Sequence, residues 1–160
     1  MSLIGPDEGV ADVEVTEQIR AAPSVVYHLV SDVTSMGRWS PETTSCRWVG
    51  DATGPAVGAR FRGTNKRGPM RWTTTCTVTA AEPGRRFAFD VDFAGVPISR
   101  WSYDLEATAD GATVTEGWSD RRVHLLKLAS VPLMGISDRA AHNRRGMQAT
   151  LTALRAAAER

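Results

Sequence analysis

The feature that most constrains the fold is an alternation of apolar and polar residues that runs from Cys46 to Ser119. A period of two is typical of β-strands that bury one face and expose the other. Turn signals divide the alternation into six strands, at 51–58, 67–69, 82–84, 94–97 and Asp110-Gly111. The Asp-Gly pair predicts a two-residue hairpin, because glycine accepts the positive φ angle of such turns. We therefore predict an antiparallel meander of six strands.

The apolar positions of these strands share one phase, so one face of the sheet is predicted to be dry. The alternate positions are threonines or charged residues such as Asp90 and Asp104, which predicts a solvated opposite face. The predicted inward positions are Phe61, Trp72, Thr74, Cys76, Val78, Phe87, Phe89, Val91, Phe93, Trp101, Tyr103, Leu105, Val114 and Trp118.

The segments before and after the alternation complete an α+β fold. Residues 13–19 alternate in the same way and predict a first, seventh strand. Pro23 suits the first turn of a short helix that ends near Asp32, and a second short helix or turn follows at 33–39. A long C-terminal helix, capped by Ser137 and about 33 Å in length, is predicted to cover the dry face. Its inward stripe is Ala140, Asn143, Met147, Leu151, Leu154 and Ala158.

Composition limits the classes of function. The 19 basic and 18 acidic residues nearly cancel, which argues against a duplex nucleic-acid partner. Cys46 and Cys76 form no C-x-x-C motif and are predicted to be two buried thiols rather than a disulfide. No apolar run is long enough to span a membrane and no leader pattern begins the chain, so we expect a cytoplasmic protein without stable membrane insertion. One domain over 12–160, after a flexible N-terminus at 1–11, fits this length.

The residue pattern offers little support for a metal site, a cofactor site or a catalytic nucleophile. His28, His124 and His142 stand in no ligand spacing, so neither a metal nor a cofactor is predicted. No candidate nucleophile has a recognisable base partner in the sequence. The candidates are the two cysteines and the serines 40, 99 and 102.

Six short motifs occur in an order that is informative as a set. They are Ile19-x-Ala21-Ala22-Pro23-x-x-Val26-Tyr27-x-x-Val30-x-Asp32, Met36-x-x-Trp39-Ser40-Pro41, Gly58-x-Arg60-Phe61, Glu82-Pro83-Gly84-Arg85-x-Phe87, Val114-Thr115-Glu116-x-Trp118 and Asn143-x-x-Gly146-Met147-x-x-Thr150-Leu151. With them the chain resembles the START-like (SRPBCC, helix-grip) superfamily, in its bacterial polyketide cyclase/dehydrase and lipid-transport branch. The resemblance implies a curved sheet and a C-terminal helix around a cavity for lipids, polyketides, sterols or other apolar molecules. It implies no particular reaction.

The predicted ligand-binding residues line that cavity. For the aromatic members, the alternative is an ordinary core between sheet and helix. The full set is Trp39, Phe61, Trp72, Thr74, Phe87, Phe89, Trp101, Tyr103, Glu116, Trp118, Asn143 and Met147.

Glu116 is the most informative of these residues. Its position between Val114 and Trp118 directs a carboxyl group to the dry face, where an unpaired charge is costly. Three roles remain open: a salt bridge to an arginine such as Arg100, a polar anchor for a ligand, or a general acid/base with a raised pKa. Glu17 faces the same way, and two close carboxyl groups would raise each other's pKa.

The function predicted from these residues is binding of a small, largely apolar molecule without catalysis. The first alternative is a cyclase or dehydratase that uses Glu116 as acid/base. The second is an interaction protein whose contact surface is the apolar segment 123–135, which would otherwise be a lid or plain packing. A homodimer is compatible with all three.

Overall fold

The computed structural model describes residues 9–122 and 138–160. Its seven strands are β1 (Val13–Ile19), β2 (Thr43–Trp48), β3 (Arg60–Arg67), β4 (Met70–Glu82), β5 (Arg86–Phe93), β6 (Val96–Thr108) and β7 (Gly111–Asp120). Its helices are α1 (Pro23–Ser31), a short 3-10 helix (Val33–Arg38) and α2 (Arg139–Ala158). The strands form one antiparallel sheet in the order β1-β7-β6-β5-β4-β3-β2. The predicted α+β helix-grip architecture is confirmed.

The two short helices carry the chain from one edge of the sheet to the other. Pro23 occupies the first position of α1, where its missing N–H leaves no hydrogen bond unmade. Val26, Tyr27 and Val30 of α1 are buried, and the helix contacts β5, β6 and α2. Because β1 and β2 are the two edge strands, this connection spans the inner face and forms part of its cover.

Helix α2 packs on the same inner face of the sheet, over β1 and β7, next to the part that α1 covers. Asp138 caps it by accepting a hydrogen bond from the backbone N–H of Ala141 at 3.0 Å, so the prediction of Ser137 as the cap is wrong by one residue. Ala140 is exposed, in contrast to its predicted place on the buried stripe. The buried positions of α2 are Asn143, Met147, Thr150, Leu151 and Leu154.

Three breaks in strand register, at Thr43/Ser45, Val78/Ala80 and Val91/Asp92, interrupt the regular ladder. A bulge places one extra residue in a strand and bends it. In β4 the extra residue is Thr79, so that Ala80 pairs with Ala88 and Ala81 with Phe87. The alternation seen in the sequence does not reveal such breaks, and they matter for the shape of the inner face.

Three residues of the predicted dry face, Phe93, Trp72 and the partly buried Trp101, are more exposed than expected. Phe93 is 47% exposed, because it lies at the tip of the β5–β6 hairpin opposite Val96, which is 41% exposed. Trp72 is only partly buried near the end of the β3–β4 hairpin, where the guanidinium of Arg67 lies 5.9 Å from its ring centroid. The ends of these hairpins therefore extend beyond the dry core.

The predicted two-residue hairpin between β6 and β7 forms one residue earlier than expected, and positive φ angles at both turn residues occur instead in the β5–β6 hairpin. The β5–β6 turn consists of Ala94 and Gly95, with φ angles of 51° and 80°. The β6–β7 turn consists of residues 109–110, and Gly111 is already the first residue of β7. An added Cβ at Gly111 would lie 2.2 Å from the carbonyl oxygen of Ile19. The glycine is thus required by the close approach of β1 as well as by its own φ of 156°.

Candidate ligand-binding site

The centre of the candidate site is a carboxyl–phenol pair on the inner face of the sheet. Glu116 on β7 lies directly opposite Tyr103 on β6 in the antiparallel register. The Tyr103 hydroxyl donates a hydrogen bond to Oε1 of Glu116 at 3.0 Å. Glu116 is 2% exposed and Tyr103 is 6% exposed, so both groups are removed from solvent. The inward orientation of Glu116 agrees with the strand phase.

Burial sets the protonation of this pair. Desolvation raises the pKa of Glu116 to about 8, while the hydrogen bond from Tyr103 opposes the rise. Burial, with the carboxyl group beside it, also raises the pKa of Tyr103 well above its ordinary value. Both groups are therefore mainly neutral at pH 7, as expected for ionisable side chains in an apolar site.

The salt bridge to Arg100, an example of one of the three roles left open for Glu116, does not form. Arg100 binds Asp90 instead, with its Nε 2.6 Å from Oδ1 of the carboxylate. Glu17, which was predicted to face the same way as Glu116, forms an ion pair with Arg155 of α2 at 2.9 Å. Among the described residues no cation is paired with Glu116, and its Oε2 atom is buried without a hydrogen-bond partner.

A small apolar cluster adjoins the carboxyl group. Trp118 lies two residues along β7 and is paired with Trp101 of β6, while Val15 of β1 lies opposite Glu116. Met147 of α2 packs on Trp118 and on Val13, which is the partner of Trp118 in β1. Asn143, one helical turn before Met147, is also buried. Strands β1, β6 and β7 and helix α2 thus bring five of the predicted residues together: Trp101, Tyr103, Glu116, Trp118 and Met147.

The other predicted aromatic residues form the larger core. Phe61 contacts Phe89 edge to face, with ring centroids 5.2 Å apart, and Phe89 lies 5.8 Å from Phe87. Trp39 is buried in the same cluster, with the guanidinium of Arg38 at 5.1 Å from its ring. This tight packing is consistent with an ordinary core, and a ligand contact by these residues stays a prediction.

A polar row crosses the inner face near β2; its member Thr74 was predicted, whereas Asn65 and Thr43 were missed. The Asn65 side chain donates to Oγ1 of Thr74 and accepts from Oγ1 of Thr43, both at 3.2 Å. Gly63 lets this row pack closely, since a Cβ there would lie 3.3 Å from Oγ1 of Thr74 and 3.5 Å from Sγ of Cys46. The alternation Phe61, Gly63, Asn65 in β3 was the signal that could have identified these residues.

Charged groups gather where β7 ends and α2 begins. Arg122 binds Asp120 through two nitrogens, at 2.9 and 2.7 Å. Glu42 binds His142 of α2 at 2.6 Å. Burial and the neighbouring Arg122 lower the pKa of Arg139. The described residues contain no group of three or more metal-ligating side chains, here or elsewhere.

Two depressions lined by described residues open on the outside of the molecule. One, of about 660 Å³, lies over residues 49–60, and the other, of about 440 Å³, lies between residues 9–14 and the outer face of β5 to β7. None of the predicted ligand-binding residues lines either of them. The cavity between sheet and helix stays a prediction, and the segment 123–135 lies outside the described residues. No helix in the described ranges is both long and apolar enough to cross a membrane.

Known structures share this fold. A protein from Chromobacterium violaceum aligns with a TM-score of 0.69 and 16% identity, over 92% of this chain and 97% of that one. The di-domain ARO/CYC StfQ from the steffimycin biosynthetic pathway aligns with a TM-score of 0.69 and 12% identity, over 92% of this chain and 50% of its own. At these identities the likeness concerns the fold alone. No curated protein matches the sequence.

The family follows from two further matches. A polyketide cyclase-like protein from Corynebacterium glutamicum is 34% identical, with a TM-score of 0.61, over 89% of this chain and 88% of that one. The family model described as polyketide cyclase / dehydrase and lipid transport matches residues 10–159. The fold is a START-like helix-grip fold, and the chain belongs to the polyketide cyclase / dehydrase and lipid transport family.

Proposed function

We propose that the protein binds a small, largely apolar molecule between the inner face of the sheet and α2, and that Glu116 and Tyr103 anchor its polar end. The observation that carries this proposal is the buried Oε2 atom of Glu116, which has no partner among the described residues. An unsatisfied buried carboxyl group costs about 1–3 kcal/mol, which a bound ligand would recover. Trp101, Trp118 and Met147 supply the apolar surroundings.

Binding without covalent chemistry is favoured by the state of the thiols. Burial raises the pKa of Cys46 to about 11, and that of Cys76 further still. Such thiols remain protonated and are poor nucleophiles. Both cysteines are free, which is in keeping with a cytoplasmic location.

Acid/base catalysis is the second candidate, and one observation favours it. A carboxyl group with a pKa of about 8 holds a proton near neutral pH and can deliver it to a substrate. On this reading the protein would act as a cyclase or dehydratase, in line with part of its family description. Glu116 would be the acid.

Two measurements separate these functions. Native mass spectrometry of the protein purified from its own host should show a bound small molecule, and a protein without one would count against the binding proposal. The extracted molecule is then incubated with the wild type and with Glu116→Gln. A binder leaves it unchanged, whereas an enzyme converts it and loses roughly 10²–10⁴ of its rate in the variant. Glu106→Gln, an exposed change on β6, is the matched control.

A further inference from the structure

We infer that the ligand presents a neutral acceptor oxygen, the carbonyl of a ketone, ester or amide, to Oε2 of Glu116, which acts as the hydrogen-bond donor of the site. This inference rests on the proposed binding function and specifies its chemistry. The positions of the protons on Glu116 and Tyr103 determine which kind of polar group the site lacks.

The hydrogen-bond inventory of the pair leads to this assignment. Tyr103 has a single hydroxyl proton and directs it to Oε1 of Glu116 at 3.0 Å. Oε1 is therefore used as an acceptor, and the proton of the neutral carboxyl group belongs on Oε2. No acceptor among the described residues receives it. The missing group is thus an acceptor and not a donor.

In the described ranges 9–122 and 138–160, the groups that face Glu116 include no free charged partner. Val15 lies opposite it on β1, and the next inward residue, Glu17, is already bound by Arg155. On β6 the opposite residue is Tyr103. The buried residues of α2 nearest this cluster, Asn143 and Met147, are neutral.

A ligand carboxylate would meet no cation among the described residues that face this site, and burial of an unpaired charge is costly. A ligand amine would require Glu116 to ionise in the same apolar surroundings. Binding of a neutral carbonyl oxygen avoids both costs, and this oxygen accepts the hydrogen bond from Oε2 of Glu116.

The ligand reaches Oε2 by displacing a side chain, because that oxygen is closed off from solvent. Met147 belongs to the neighbouring cluster with Trp118 and is its most adaptable member, since methionine is unbranched and rotates about three bonds. Trp101, which is only partly buried, packs against the same cluster and provides a flat wall for an apolar ring.

Four naphthalene probes of similar size test the inference: acetylnaphthalene, ethylnaphthalene, naphthoate and naphthylethylamine. Their dissociation constants are measured through tryptophan fluorescence at about pH 6 and about pH 10, on either side of the Glu116 pKa. At the lower pH the ketone should bind about tenfold more tightly than the ethyl compound, the ratio expected for one hydrogen bond of about 1.4 kcal/mol. At the higher pH, ionisation removes the donor and the preference should disappear.

Two variants make the assignment specific. Glu116→Gln keeps a neutral donor at this position, so the ketone preference should persist at both pH values. Glu116→Leu should bind both neutral probes equally at either pH. Exposed Glu106 again supplies the control, since Glu106→Gln should behave as the wild type. Circular dichroism verifies that each variant is folded.

The possible failures are distinguishable. If the wild type binds the two neutral probes equally at the lower pH, the donor assignment is wrong and the binding site itself stands. If the amine or the carboxylate is the tightest ligand, the neutral-acceptor inference is overturned in the same way. If none of the probes binds, the proposed function fails together with the inference.

Discussion

Glu116 links the stability of the protein to pH. Its pKa is about 8 in the folded protein against an ordinary 4.5, so between these values the native state holds a proton that the unfolded state has released. The free energy of unfolding should therefore fall as the pH rises from about 5 to about 8, by up to about 1.4 kcal/mol per unit, and level off above. Denaturant titrations across this range measure the slope.

Glu116→Gln should remove this contribution, because the amide has no proton to lose. The variant should gain on the wild type steadily between about pH 5 and about pH 8. Glu106→Gln should keep the wild-type slope. Parallel pH profiles for wild type and Glu116→Gln would mean that the carboxyl group is not desolvated in the folded protein.

Tyr103 lowers the pKa of Glu116 through its hydrogen bond, so removal of the Tyr103 hydroxyl should have two effects. Tyr103→Phe deletes the hydrogen bond to Oε1, so the unfolding free energy should fall by about 1–3 kcal/mol at neutral pH. Since that bond lowers the pKa of Glu116, the pH-dependent loss of stability should extend to higher pH in the variant. Tyr27→Phe, the other tyrosine, should destabilise without shifting the profile. Identical profiles for the two variants would contradict the coupling.

At the scale of single residues, much of the candidate site could be predicted from the sequence. The parts that could not be predicted depend on contacts between strands. Alternation assigns Glu116, Tyr103 and Trp118 to one face because their strands are regular there. It does not reveal whether a cation stands nearby, since Arg100 pairs with Asp90 on the outer face. Nor does it reveal that Asn65 joins Thr43 to Thr74, because that contact depends on the register of three strands.

At the scale of elements, the β5–β6 hairpin holds a residue in an unfavourable conformation. Ala94 has a φ of 51°, in the left-handed region that costs a residue with a Cβ about 1–2 kcal/mol. Ala94→Gly should raise the unfolding free energy by about 1 kcal/mol and the melting temperature by about 2–4 °C, as thermal denaturation would measure.

Ala109→Gly in the β6–β7 turn is the matched control. That turn contains no residue with positive φ, so the substitution should leave stability unchanged or lower it through the added freedom of the unfolded chain. Stabilisation of equal size by both substitutions would show that the conformation of Ala94 is not the cause.

The number and order of the elements could be read from the sequence, whereas turn geometry and bulges could not. Alternation and proline positions are local properties, and they predict strands and helices well. The Asp110-Gly111 dipeptide indicates a hairpin, but it does not reveal the close approach of Ile19, which lies far away in sequence. The exposure of Phe93 likewise depends on how far the covered part of the sheet extends.

At the scale of the whole molecule, the burial of the sheet's inner face depends on the helices that cover it. Met147, Leu151 and Leu154 of α2 are at most 1% exposed. A chain that ends before residue 138 would lose this helix and open the inner face along β1 and β7. We expect it to lack a cooperative thermal transition, whereas removal of residues 1–8 should preserve one. A sharp calorimetric transition in the truncated chain would contradict the helix-grip account of stability.

The bulge in β4 also bears on how the length of this chain can change during evolution. Loss of Thr79 would leave Val78, Ala80 and Ala81 facing as they do now, because the pairing of Ala80 with Ala88 and of Ala81 with Phe87 would simply become regular. Loss of Thr77 would instead turn part of the strand inside out. One-residue deletions should therefore survive at Thr79, where they make the sheet flatter without exchanging its inside for its outside.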